Sequence, residues 1–268
     1  MGSDARAVCR DIIRETVPAD LWGANERFCG ELLEQIKSHP LMSDPLIAAL
    51  GSGALNEAQL KRVHLEFRYA FAQTFTDAIL QTMILTQRLE PRLGVTGKVA
   101  ARFLLQFNLL DELGFTPSGN GANTYGGTPA NSHYVKFFGT LRELGVTEQQ
   151  VAAYVPSNEA VECCRMVEAL SDDLEAMLAI LAIEETIFES FATPWAANMR
   201  SRTAVDTEHG YHSLHVEHDG DSLDDHHAED LWYVLRMALS PESYDRVRSK
   251  TSDCLDTVHR FVRSLASA

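Results

Sequence analysis

From Asn56 to about Leu89 the apolar residues Val63, Phe67, Ala70, Phe71, Phe75, Ala78 and Ile79 recur three or four positions apart. That period lays them along one face of an α-helix, and Asn56 has the chemistry of its cap. A second stretch of the same kind runs from about Gly97 to Gly114 through Phe103, Leu104, Phe107, Leu110 and Leu113. A third spans Ser132 to Leu144, with Gly145 as its stop. Thr147 and Gln150 have capping-box spacing for a short helix. Ser171 opens a further run through Leu174, Met177, Leu178, Leu181, Phe188 and Phe191, expected to end near Pro194 or just beyond. Ser240-Pro241-Glu242 starts the C-terminal helix. No alternating run exceeds a few residues, and neither a repeat nor a linker interrupts the pattern. The expectation is an all-α fold, one domain over residues 1–268.

Charge and apolar runs exclude several roles. The 38 acidic against 23 basic residues leave a net charge of −15, which opposes binding to a nucleic-acid backbone or an anionic membrane and suits a cation or an amine. The longest uninterrupted apolar run, Ala176 to Ile183, has eight residues, far short of the ~20 that span a bilayer. The first residues, Met-Gly-Ser-Asp-Ala-Arg, contain no apolar signal core, and Arg6 stands where a myristoylation signal has Ser or Thr. Cys9, Cys29, Cys163, Cys164 and Cys254 are odd in number and form no Cys-x-x-Cys. Buried, reduced thiols in a cytoplasmic protein are expected.

Two segments break the helical pattern. Phe115 to Asn131 is a 17-residue loop rich in Gly, Pro and Asn; loops of that length in compact domains are usually functional or disordered. Asp206 to Asp230 holds six of the ten histidines, and seven carboxylates fall between Glu217 and Asp230. Imidazoles and carboxylates together suit a hard or borderline transition metal such as iron or manganese. His215 and Asp219 lie four apart and Asp219 and His226 seven apart, so one helical face carries all three. His227 lies about 100° further round. Leu214, Val216, Leu223, Leu231 and Trp232 frame the segment as a packed helix.

Three more ionisable residues stand in apolar surroundings. Glu112 ends the run that begins at Phe103, His133 opens the helix after the glycine-rich loop, and Glu184 shares a face with Met177, Leu181 and Phe188. A buried, unpaired glutamate costs several kcal/mol, so Glu184 is expected to be protonated, paired or metal-bound. Glu185, beside it, is expected to face solvent.

The string Asn108-Leu-Leu-Asp-Glu-Leu-Gly114, then Ser132-His133 and an aromatic-rich helix ending Leu-Arg-Glu-Leu-Gly145, resembles the heme-oxygenase-like diiron oxidases and oxygenases. Ala182-Ile183-Glu184 and His215-Val-Glu-His-Asp219 are similar to that family's ligand motifs, and the resemblance extends over about residues 60–235. It implies a heme-oxygenase-like helical bundle binding two Fe(II) per chain and no heme, with O2 as co-substrate. Glu112, His133, Glu184, His215 and Asp219 match family ligands. Ser222 stands where the last histidine belongs, so that ligand falls to His226 or His227 across an apparent insertion.

The function implied is oxidation of a small amino acid or amine in specialised metabolism, by N-oxygenation, desaturation or C–H or C–C oxidation, in a cytoplasmic homodimer without nucleic-acid or membrane partners. A ferritin-like iron store is disfavoured, because Glu-x-x-His occurs nowhere in the chain. A metal-free bundle, thiaminase-like or quinone-cofactor-synthase-like, is the other alternative, but Cys163-Cys164 do not match a recognisable nucleophile setting.

Overall fold

The computed structural model describes residues 4–117, 125–216 and 223–266, and the expected all-helical single domain is what they form. In chain order the helices are α1 (Ala5–Thr16), α2 (Ala19–Ser38), α3 (Pro45–Gly51), α4 (Glu57–Phe67), α5 (Phe75–Leu85), α6 (Glu90–Glu112), α7 (His133–Glu143), α8 (Glu148–Ala153), α9 (Asn158–Glu168), α10 (Leu174–Arg202), α11 (Leu223–Ala238) and α12 (Tyr244–Ala266). Among the described residues no helix is long and apolar enough to cross a membrane. All five cysteines are buried free thiols.

The caps read from the sequence are in place. Asn56 and Gln59 form a reciprocal capping box at the start of α4, as Thr147 and Gln150 do at α8. Ser132 caps α7, and Gly145 ends it with a positive φ of 75°, a conformation open to glycine at little cost. The Asn56–Leu89 stretch is helical but divided. A π-helical turn over Arg68–Ala72 separates α4 from α5, and such turns often lie at functional sites.

Helix α10 runs through the middle of the bundle. Every residue from Ala176 to Ile183 is buried, with α11 along one side and α3, α5 and α12 around the rest. The helix continues past Pro194 to Arg202, further than the proline suggests. A helix-interior proline loses a backbone hydrogen bond, and tertiary bonds hold this end instead. The Asn198 side chain accepts from the Leu55 N–H (3.1 Å) and donates to the Leu55 carbonyl (2.9 Å).

The described parts of the two irregular segments take definite shape. Phe115–Pro117 (β1) and Tyr125–Gly127 (β2) form a short antiparallel ladder, Phe115 opposite Gly127, where the sequence shows only a loop. The stretch after α10 is not the expected helix. Asp206 Oδ1 accepts from the backbone N–H groups of Glu208 and His209 (2.8 and 3.0 Å), an Asx-type turn that competes with helix formation. A single 3-10 turn, His212–Leu214, follows, His215 sits in a bend, and α11 begins only at Leu223.

Candidate metal centre

Four helices deliver carboxylates and imidazoles to one buried point. The C-terminal turn of α6 brings Asp111 and Glu112, the first residue of α7 brings His133, the middle of α10 brings Glu185, and the first turns of α11 bring His227. Glu112, His133, Glu185 and His227 are 7, 4, 5 and 1 % exposed. One ligand atom from each of Glu112, Glu185 and His227 lies within 4.8 Å of the others, a group able to hold a metal ion. His133 joins through Nδ1, 3.0 Å from Glu112 Oε1. Asp111 Oδ2 lies between the two rings, 3.4 Å from His133 Nε2 and 3.3 Å from His227 Nε2. The other nitrogen of His227, Nδ1, is 3.5 Å from Glu185 Oε1.

The approach of these atoms is not that of a hydrogen-bonded network. Asp111 Oδ2, His133 Nδ1 and both His227 ring nitrogens are buried and lack an aligned hydrogen bond, although carboxylate oxygens and imidazole nitrogens face one another at 3.0–3.5 Å. Buried polar atoms are normally satisfied. Lone pairs converging on a shared centre are instead the arrangement a cation completes. The donors are carboxylate oxygens and imidazole nitrogens with no thiolate, a set suited to iron or manganese.

In the metal-free protein, protons stand in for the cation. Burial alone depresses a histidine, but Glu112 and Asp111 override it and take His133 up to about 10. Burial is likewise overridden at His227, which Asp111 and Glu185 hold well above the ordinary value. Burial pushes Asp111 and Glu112 upward, and the two imidazoles more than reverse it, leaving both below the usual carboxylate range.

Neighbouring contacts fix the ligands. The Asn108 amide on α6 donates to the His227 carbonyl (3.1 Å), and Trp232 Nε1 on α11 donates to Thr186 Oγ1 on α10 (3.2 Å). Arg6 and Arg10 of α1 grip the fully buried Asp230, one turn beyond His227, at 2.9 and 2.6 Å. Such contacts orient ligands and tune their basicity.

The expected ligands separate into those gathered here and those that are not. Glu112, His133 and His227 are gathered. His215 is adjacent, its ring 5.1 Å from that of His133 and stacked edge-on with Phe188 and near Tyr211, but it reaches this position from a bend and not from a helix face. His226 is half-buried beside His227 and is not in the group. Asp219 lies outside the described residues. Of the two glutamates of α10, Glu185 is the one placed differently from expectation. Glu185 is buried in the cluster and not solvent-facing, and Glu184 lines the adjoining cavity with it, outside the group of three. Burial and the charge of Glu185 push Glu184 up to about 8. Glu185 was expected to face solvent, but α10 is buried all round from Ala176 to Ile183, so hydrophobic periodicity marks no solvent face just before it. Asp111 went unnoticed in the sequence, although it stands beside Glu112.

The cavity opens from the cluster between α4, α10 and α12, with ≈ 1030 Å³ of empty space when its mouth is included. Phe67, Phe71, Phe188, Phe191, Trp195 and Phe261 form much of its wall, and Glu112, His133, Glu185 and His215 form its polar end.

No family model matches the chain, and no curated protein matches it. Solved structures do. Two crystal structures of a CADD-like protein of unknown function from Nostoc punctiforme PCC 73102 are similar to it. The one at 2.00 Å resolution superposes with a TM-score of 0.63 at 18% identity, over 89% of this chain and 96% of that one. The one at 1.35 Å gives 0.56 at 20% identity, over 89% and 94%. Likeness at this identity is likeness of fold.

Proposed function

We propose that this protein is a non-heme, iron-dependent oxidoreductase that holds two Fe(II) per chain and uses O2 to oxidise a small amino acid or amine. The observation that carries the reading is the convergence of Asp111, Glu112, Glu185, His133 and His227, with His215 beside them, at the closed end of an aromatic cavity. Three carboxylates and three imidazoles are enough donors for two divalent ions and compensate most of their charge. Iron bound there supplies redox reactivity toward O2. The chain's own residues do the rest: the carboxylates and imidazoles hold the metals, and the aromatic wall excludes water and confines the substrate against the polar end. The five cysteines are buried and offer no nucleophile to a metal-free alternative.

Anaerobic titration with Fe(II), followed by O2 exposure under optical detection, tests the reading. The expected stoichiometry is two iron ions per chain, with an absorbance change on oxygenation. Retention of less than about one iron per chain after desalting counts against it, even allowing for weak ferrous binding.

A further inference from the structure

Consecutive residues on a helix point about 100° apart, and on α10 Glu184 and Glu185 both line the cavity but differ in their partners. Glu185 enters the ligand cluster. Glu184 stands outside that group on the cavity wall, where its Oε1 is buried and accepts no hydrogen bond. Among the described residues it makes no ion pair either, and no lysine or arginine lines the cavity. A carboxyl in this position is costly to bury and supports nothing in the fold. A cation placed beside it would hold it ionised and satisfy it. The surrounding faces of Phe67, Phe71, Phe188 and Phe261 attract cations as well as hydrocarbon. Away from the imidazoles of the cluster, a substrate carboxylate meets no counter-charge along this wall.

We propose that Glu184 is the amine-binding residue of the cavity, recognising the ammonium group of an apolar primary amine whose hydrocarbon or aryl part lies along the aromatic wall, and that the cavity discriminates against substrates bearing a free carboxylate. The proposal rests on the reading above in taking this cavity as the substrate site, and it narrows the substrate class from amino acids and amines to carboxylate-free amines. With the nitrogen held at Glu184, one residue along from Glu185, the adjoining carbons of the amine face the cluster.

The test is calorimetric binding of 2-phenylethylamine, 2-phenylethanol and 3-phenylpropionate to the full-length chain, metal-free and anaerobically loaded with Fe(II). The amine is expected to bind about tenfold or more tightly than the carboxylate, and Glu184→Gln to weaken the amine by a similar factor while leaving the alcohol unchanged. The alcohol reports that the cavity of the variant is intact, and the preference within the unsubstituted protein stands without any variant. Glu184→Gln is also expected to keep its full iron content. Equal binding of amine and carboxylate overturns the proposal, and so does loss of iron from Glu184→Gln, which makes Glu184 a ligand. Amine binding that depends on Glu184 in a protein that neither retains iron nor reacts with O2 supports this proposal while removing the oxidoreductase reading.

Discussion

Three adjacent pairs carry the site, and each divides its labour differently. Asp111 and Glu112 both reach the cluster, Asp111 between the two imidazoles and Glu112 beside His133. Glu184 and Glu185 both line the cavity, and only the second joins the cluster. Of His226 and His227, the second turns inward. Protonation of His133 and His227 has a measurable consequence. Both are held above their ordinary pKa in the metal-free protein, whereas a metal ligand must be neutral. Loading divalent iron at pH 7.5 is therefore expected to release about two protons per chain, and affinity is expected to fall as the pH drops. Anaerobic calorimetry in buffers of different ionisation enthalpy measures the release directly. No release at that pH would remove both histidines from the ligand set. Their effect on stability has the same origin: a raised histidine stabilises the metal-free fold below about pH 6.5, and this contribution fades as pH rises towards 10 at His133.

At the scale of elements, the relation between Glu112 and His133 depends on two glycines. Gly114 and Gly127 have φ of 82° and 90°. A Cβ on Gly127 would lie 2.1 Å from the Gly114 carbonyl oxygen, and one on Gly114 2.5 Å from the Ser132 nitrogen. The β1–β2 ladder thus presses the end of α6 against the start of α7 at contact distances only glycine permits. Gly94 has a φ of 70° but open space around it. Gly94→Ala is therefore expected to cost about 1–2 kcal/mol of strain alone, and Gly127→Ala more, with lower iron content because His133 is displaced. Denaturant unfolding and metal analysis of the two variants check this, and equal costs would sink the idea. The sequence made α4, α6, α7, α8 and α12 legible because each has a periodic apolar face and a chemically marked end. It hid the ladder, whose three-residue strands have too few positions to show alternation. It misled at 206–216, where local Asx and 3-10 bonds defeat a helical pattern of apolar residues. The ligands Glu112 and His133 were legible as ionisable groups at the ends of apolar runs. Glu185 was not, since a helix buried all round has no polar side to compare.

Across the whole molecule, one further buried pair sets the response to acid. His64 on α4 donates from Nδ1 to the Leu60 carbonyl (2.7 Å), so its Nε2 is an acceptor facing His212 Nε2 at 3.1 Å. Phe137 and Trp195 pack against the His64 ring, and both imidazoles are almost fully enclosed. Burial takes His64 down to about 4. At His212 burial acts first, and the charges of His64 and His215 add to it, leaving it well below the ordinary value. In the unfolded chain both titrate near 6.5. Above that pH neither state takes up a proton and the pair costs nothing. As the pH falls from about 6.5 towards 4, the unfolded chain binds protons that the folded core refuses, and stability is lost, by about 3 kcal/mol from His64 alone. Asp111 and Glu112, whose pKa values lie below normal, lose their contribution only at lower pH. The two processes are therefore separated along the pH axis. Replacing the pair, as His64→Leu with His212→Phe, is expected to flatten the fall in unfolding free energy between pH 6.5 and 4.5 whatever it does to stability at pH 7.5. Denaturant unfolding at a series of pH values gives that slope. A double variant as acid-sensitive as the original would place the acid response elsewhere in the bundle.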